Sequence, residues 1–176
     1  GYTVKLKNGE SITGDLVVAG IGAVPEIALA EAASLDIEDG VSVNAFLQTS
    51  DPDIYAVGDC CSFPHPLYEQ QRIRLEMWRC ARDQAECAVQ NLLGKTNEFS
   101  AVPWFWSDQF ELSLQVAGLP SFARRVIPRT RPDGVTIYFG LNDQKRLVSA
   151  AGIGVGNSVA KDIRLAEMLI AAQKTM

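Results

Sequence analysis

Histidine is almost missing: His65 is the single one in 176 residues. A histidine-rich metal site and a relay of several imidazoles are thereby excluded. Cysteine is scarce as well, with four thiols at positions 60, 61, 80 and 87, and no spacing among them is C-x-x-C. Cys80 and Cys87 fall too far apart along a helix to bridge, so free thiols and a reducing compartment are expected. Positive charge is in deficit, 16 lysines and arginines against 21 aspartates and glutamates, net −5. Binding of nucleic acid or an anionic membrane through bulk charge is disfavoured. No apolar run approaches the roughly 18 residues of a membrane span. The N-terminus lacks the charged-then-apolar layout of a secretory signal, and a cytoplasmic place is expected.

What is present is an ordinary globular balance, 47% apolar and 21% charged, over a length of little more than one domain or pieces of two. Thr3 to Lys7, the Asn8-Gly9 turn signal and Ser11 to Thr13 predict a hairpin. Leu16-Val17-Val18-Ala19 reads as a strand buried on both faces. A helix is predicted from Pro25-Glu26 to about Ala33, then strands at 41–44 and at Ile54 to Val57. From Tyr68 to Leu93 the apolar spacing is helical, with Gly94 as a stop. Beyond it, 110–117, 122–127, 135–139 and 147–153 read as strands, and Val159 to Ile170 as a closing helix that Asn157 or Ser158 would cap. The fold class expected is α/β followed by α+β with an antiparallel sheet, divided near residue 98. The leading part has too few strands for a parallel sheet of its own, so a piece of something longer is expected.

The string Thr49-Ser50-Asp51-Pro52-Asp53-Ile54-Tyr55-Ala56-Val57-Gly58-Asp59 carries the most specific chemistry. Gly58 would let a ligand approach the backbone, and an ionised Asp59 would accept hydrogen bonds from sugar-alcohol hydroxyls. A helix cap or turn aspartate is the plainer alternative for a lone Gly-Asp pair. The string resembles the second flavin-binding motif of the two-dinucleotide-domain flavoprotein reductases, in which the matching aspartate binds the ribityl chain of FAD. Asp15 to Glu26 looks like the end of the same family's NAD-binding domain. Val102-Pro103-Trp104-Phe105-Trp106-Ser107-Asp108-Gln109-Phe110 is similar to the opening of the C-terminal domain of oxygenase-type, NAD(P)H-dependent ferredoxin reductases. Arg74 to Gln84 resembles the family's Arg-x-Glu helix, with Cys80 where many relatives have asparagine.

The resemblance implies residues 1–44 as the end of an NAD-binding domain, 45–98 as the end of an FAD-binding domain and 99–176 as a C-terminal reductase (interface) domain. It implies cofactors FAD and NAD(P)H, with Gly58, Asp59, Glu76, Trp78 and Trp106 beside FAD and Gly20 and Gly22 in a nucleotide-side loop. Trp106 is preferred to Trp104 at the isoalloxazine; each ring could equally fill a core. Glu76 and Arg79 are as readily solvated helix charges, and Cys80 reads as packing rather than a reactive thiol. Gly152-x-Gly154 reads as a turn rather than a phosphate loop. Neither G-x-G-x-x-G phosphate cradle is present.

The function implied is that of a truncated fragment of a flavoprotein passing electrons from NAD(P)H through FAD to a [2Fe-2S] ferredoxin that feeds an oxygenase. By itself the chain is expected to be inactive and to bind flavin weakly. Exposed cofactor-facing apolar surface suits a homo-oligomer. Alternatives are a disulfide reductase of the same superfamily and a non-catalytic dimerisation or signalling module resembling the later part of apoptosis-inducing factor. Arg124, Arg125, Arg129 and Arg131 form a basic cluster that suits either ferredoxin docking or a solvated loop.

Overall fold

A computed structural model describes residues 1–175. The Asn8-Gly9 turn closes the predicted hairpin: β1 (Tyr2–Lys5) pairs antiparallel with β2 (Ser11–Gly14). Neither face of this ribbon is covered. Leu16 to Ala19, predicted as a doubly buried strand, forms no strand, and Leu16 and Val18 are 78% and 85% exposed. A strand buried on both faces needs neighbours for its N–H and C=O groups and layers over its side chains. Residues 1–35 supply neither, and the short helix α1 (Ala28–Ala32) buries nothing.

The next layer is small. β3 (Val41–Ser42) runs parallel to β4 (Cys61–His65), which pairs antiparallel with β5 (Gln71–Arg74). The strand predicted at Ile54 to Val57 reduces to one bridge, Tyr55 to Gln48. Gly58 and Asp59 therefore lie on a 3-10 turn, Gly58–Cys60, that leads into β4 instead of ending a strand. The helix predicted from Tyr68 begins ten residues later, as α2 (Trp78–Leu92). Glu69 and Gln70 both take φ 58°, reversing the chain so that β5 can pair with β4. That ladder outweighs the helical spacing of the residues before Met77.

Beyond residue 100 the strands follow the predicted pattern with shifted ends. β6 (Trp104–Gln109), β7 (Leu112–Gly118), β8 (Arg125–Thr130), β9 (Thr136–Leu141) and β10 (Leu147–Val155) form a five-stranded antiparallel sheet ordered β6-β7-β10-β9-β8. β6 runs through the aromatic block, which sequence patterning does not mark as a strand. Gly152 and Gly154 lie within β10, not in a turn; a Cβ at Gly152 would come within 2.5 Å of Ile137 and 3.3 Å of Val159. Glycine there lets the closing helix α3 (Ala160–Ala171) settle on the sheet. Neither Asn157 nor Ser158 caps α3: Val159 holds the N-cap position with no side-chain bond.

Two apolar clusters result. Ile137, Leu147, Ile163 and Ile170 lie between the sheet and α3. Leu47, Phe63, Tyr68 and Phe99 join Leu119 and Val148 in the other, which stitches the β3–β5 layer to the sheet. His65 is fully buried at that seam; Nε2 lies 3.1 Å from Ala101 O and Nδ1 accepts from Leu67 N at 3.3 Å. Burial lowers its pKa from 6.5 to about 4, against the pull of the Ala101 carbonyl, so it is neutral at pH 7. No helix among the described residues is long and apolar enough to cross a membrane.

Candidate functional site

Five of the predicted site residues, Gly58, Asp59, Glu76, Trp78 and Trp106, lie near the start of α2. Met77 is extended (φ −137°, ψ 122°), which breaks the chain out of β5, and no side chain caps the first turn of α2. The leading N–H groups of that helix thus have no capping side chain among the described residues. Gly58, at φ +79°, donates its N–H to Gln84 Oε1 at 2.7 Å and so ties the Gly-Asp turn to the middle of α2. Gln84 Nε2 is left as a buried donor without a partner among the described residues.

Arg74 fixes the same corner. Its guanidinium donates to Asp59 O at 3.1 Å, to Glu76 Oε1 at 2.7 Å and to Asp39 Oδ1 at 3.3 Å. Asp59 is held by its backbone, and its exposed carboxylate has no ion pair or hydrogen bond among the described residues. Glu76, by contrast, is spent on Arg74.

An indole wall faces this corner. Trp104 and Trp106, two apart on β6 and hence on one face of the sheet, stack with centroids 5.4 Å apart at 27°. Trp78, the first residue of α2, is 67% exposed and Trp106 45% exposed. A hollow of about 340 Å³ runs between Glu76, Met77 and Trp78 on one side and Trp104, Phe105 and Trp106 on the other. Gly20 and Gly22 stand apart from it, in an exposed irregular stretch where a Cβ would meet nothing within 4 Å.

Sequence reasoning missed what stiffens the wall. Arg79 lies 5.5 Å over the Trp104 ring and bonds the buried Glu167 of α3 at 2.6 Å, with Asp83 at 3.5 Å. Arg164 binds the other Glu167 oxygen at 2.7 Å. A glutamate in the apolar-periodic closing helix was the available signal. Burial pushes the Cys80 and Cys61 thiols up to about 12, which makes both poor nucleophiles and fits packing.

The corner thus brings near one another a free carboxylate, a glycine turn, an uncapped helix start and aromatic faces. Comparison with known proteins gives the family. Residues 1–85 match the pyridine nucleotide-disulphide oxidoreductase family, and residues 104–176 match the reductase C-terminal domain. Over 173 residues, 98% of this chain and 41% of the relative, it is 37% identical to the anthranilate 1,2-dioxygenase system ferredoxin–NAD(+) reductase component of Burkholderia cepacia. Putidaredoxin reductase in its covalent complex with putidaredoxin superposes with TM-score 0.85 at 34% identity, covering 97% of this chain and 40% of that one. The ferredoxin reductase for the CYP199A2 system from Rhodopseudomonas palustris gives TM-score 0.88 at 31% identity, over 99% and 42%. The chain spans about two fifths of the length of the proteins it matches. Motif order, sheet topology and these matches lead to one conclusion: the chain belongs to the pyridine nucleotide-disulphide oxidoreductase family and carries a reductase C-terminal domain.

Proposed function

We propose that this chain forms the flavin-facing later part of an NAD(P)H-dependent, FAD-containing reductase that delivers electrons to a [2Fe-2S] ferredoxin. The observation that carries the reading is the hollow between Glu76, Met77, Trp78 and the Trp104–Trp106 stretch at the start of α2, with Asp59 tied to Glu76 through Arg74. Residues 1–44 then end an NAD-binding domain, 45–98 end an FAD-binding domain and 99–176 form the C-terminal domain. A cytoplasmic setting belongs to the same reading, in keeping with four free cysteines.

FAD, when bound, supplies the link between two-electron hydride transfer from NAD(P)H and one-electron transfer to ferredoxin. The chain's own work is placement. Asp59 accepts hydrogen bonds from the ribityl hydroxyls, and Gly58 admits the ligand to the backbone. The N–H groups opening α2 would stabilise negative charge on the reduced ring. Trp106 and Trp78 cover the ring faces and keep water out. Glu76 acts through Arg74, holding the Asp59 carbonyl in place. Gly20 and Gly22 belong to the nucleotide side and lie off this surface.

The test is a chimera in which the leading segments of a ferredoxin reductase relative precede this chain. We expect it to purify yellow and to reduce a [2Fe-2S] ferredoxin with NADH or NADPH. Asp59→Ala should lose stoichiometric flavin; full flavin retention in that variant would overturn the reading. The chain by itself should oxidise NADH negligibly with added FAD and ferricyanide, since it lacks a phosphate cradle.

A further inference from the structure

The five-stranded sheet turns its second face away from the tryptophans, and that face carries no charge. Register assigns the sides. Trp104 and Trp106 stand opposite Ala117 and Gln115, while Leu112, Leu114, Tyr138, Ile153 and Val155 point the other way, joined by Val126 on β8. The charged residues of the five strands, Asp108, Arg125 and Arg129, all fall on the tryptophan side. In a chain that is 21% charged, a broad water-facing surface without a charge is out of keeping with a surface built only for solvent. Helix α3 packs on the opposite face. The uncharged face is covered at one end, where a Cβ at Gly140 would come within 2.8 Å of Ala123. Towards the other end Tyr138, Ile153 and Val155 are 49%, 50% and 64% exposed, and Phe110, in the turn before Leu112, is fully exposed.

We infer that two copies of the chain associate through this open face, sheet against sheet about a two-fold axis. Charge points to a second copy. A two-fold axis sets like residues against like, which repels where a face is charged and costs nothing here. Area agrees: the open surface of this face with Phe110 is on the order of 700 Å², close to the roughly 800 Å² that each partner of a stable interface buries. Tyr138 and Phe110 supply the aromatic side chains in which such contacts are rich. The sheet edge is excluded as the route, because edge strand β8 carries Pro128 between Arg125 and Arg129, which protect it from strand addition. The surface lies across the sheet from the tryptophans, so a flavin and a second copy do not compete for it.

Sedimentation equilibrium of the chain across the micromolar range tests the inference. The average mass should climb from 19.1 kDa towards twice that value and stop there. Ile153→Lys, on the central strand of the sheet, sets a charge against its own copy and should weaken association at least about tenfold, with unchanged far-ultraviolet circular dichroism. Val155→Glu, at the last position of β10, should do the same and decides the matter if the first variant fails to fold. Val18→Lys, on the separate apolar stretch near the N-terminus, should leave association as it is. A monomer at every concentration, wild-type association in the folded β10 variants, or loss of association in Val18→Lys would overturn the inference. So would growth beyond the dimer, the mark of indiscriminate adhesion. No arm contains flavin or nucleotide, so the result leaves the reductase reading to the chimera, and each idea can fail while the other stands.

Discussion

Residues 1–35 and the sheet beyond residue 100 answer the same kind of sequence signal in opposite ways. Leu16 to Ala19 and Leu147 to Ala151 are both short runs rich in apolar residues, yet the first lies open at the surface while Leu147 and Ala150 are 2% and 0% exposed. The difference is the distance to partners. β10 finds β7 and β9 within the same stretch of chain and α3 directly after it. The run at 16–19 has only a hairpin and a five-residue helix nearby. An apolar run reports an appetite for burial, and burial happens only where something arrives to provide it.

The sharpest test of that contrast is a matched pair of truncations. Ile163, fully buried between α3 and the sheet, should cost about 2–5 kcal/mol as Ile163→Ala, the range for a large core side chain. Val18→Ala at an 85% exposed position should stay within about 0.5 kcal/mol. Urea denaturation of both variants measures the gap. Equal losses would mean residues 1–35 are packed after all.

A comparable effect is expected at the seam between the layers. His65 is held neutral, with its pKa lowered to about 4, so the unfolded chain binds a proton that the folded one refuses between pH 6.5 and 4. Stability should then rise with pH across that window and be lost as pH falls through it, by up to about 3 kcal/mol. His65→Gln should be less stable at pH 7 but show a flatter pH dependence. An unchanged slope in thermal melts from pH 4 to 7 would exclude the histidine as its source.

How far the sequence shows all this follows the same line. The strands after residue 110 and the closing helix are legible because their partners lie close in sequence and alternate in polarity. Their ends are not: β8 starts at Arg125 because Pro120 to Phe122 form a 3-10 turn. The start of α2 is lost because Leu75 keeps helical spacing although the residues just before it, Gln71 to Arg74, are held in the ladder with β4. At the candidate site Gly58, Asp59, Trp78 and Trp106 stand out in the sequence, since each is a residue type with a chemical use. The supports are not visible: Arg74 reaching Asp59 O and Glu167 reaching Arg79 depend on which elements meet in space.

Those supports offer a finer cut between the regions. Glu167 is buried, and its two oxygens serve Arg79 and Arg164. Glu167→Gln should cost about 1–3 kcal/mol by leaving the partly buried Arg79 charge underpaired. Because Arg79 lies over Trp104, the same change should shift the tryptophan emission. A stability loss with unaltered emission would show that the helix contact matters and the wall does not depend on it.

The smallest effect should come from the Arg124–Asp143 pair, at 3.7 Å with side chains 73% and 84% exposed. An ion pair so open to water gains little Coulomb energy and orders two mobile side chains, so Arg124→Ala should change stability by no more than about 0.5 kcal/mol and less still in high salt. Arg131, in the same basic cluster, differs because it bonds Asp162 at 2.9 Å and the Ser158 carbonyl at 2.7 Å, anchoring the β8–β9 turn to the start of α3. If the cluster served only docking, both arginines would be dispensable for folding. A double-mutant cycle with Asp143 and Asp162 in urea should find coupling for Arg131 and almost none for Arg124. Only the arginine without coupling is then free to meet an acidic partner without costing the fold.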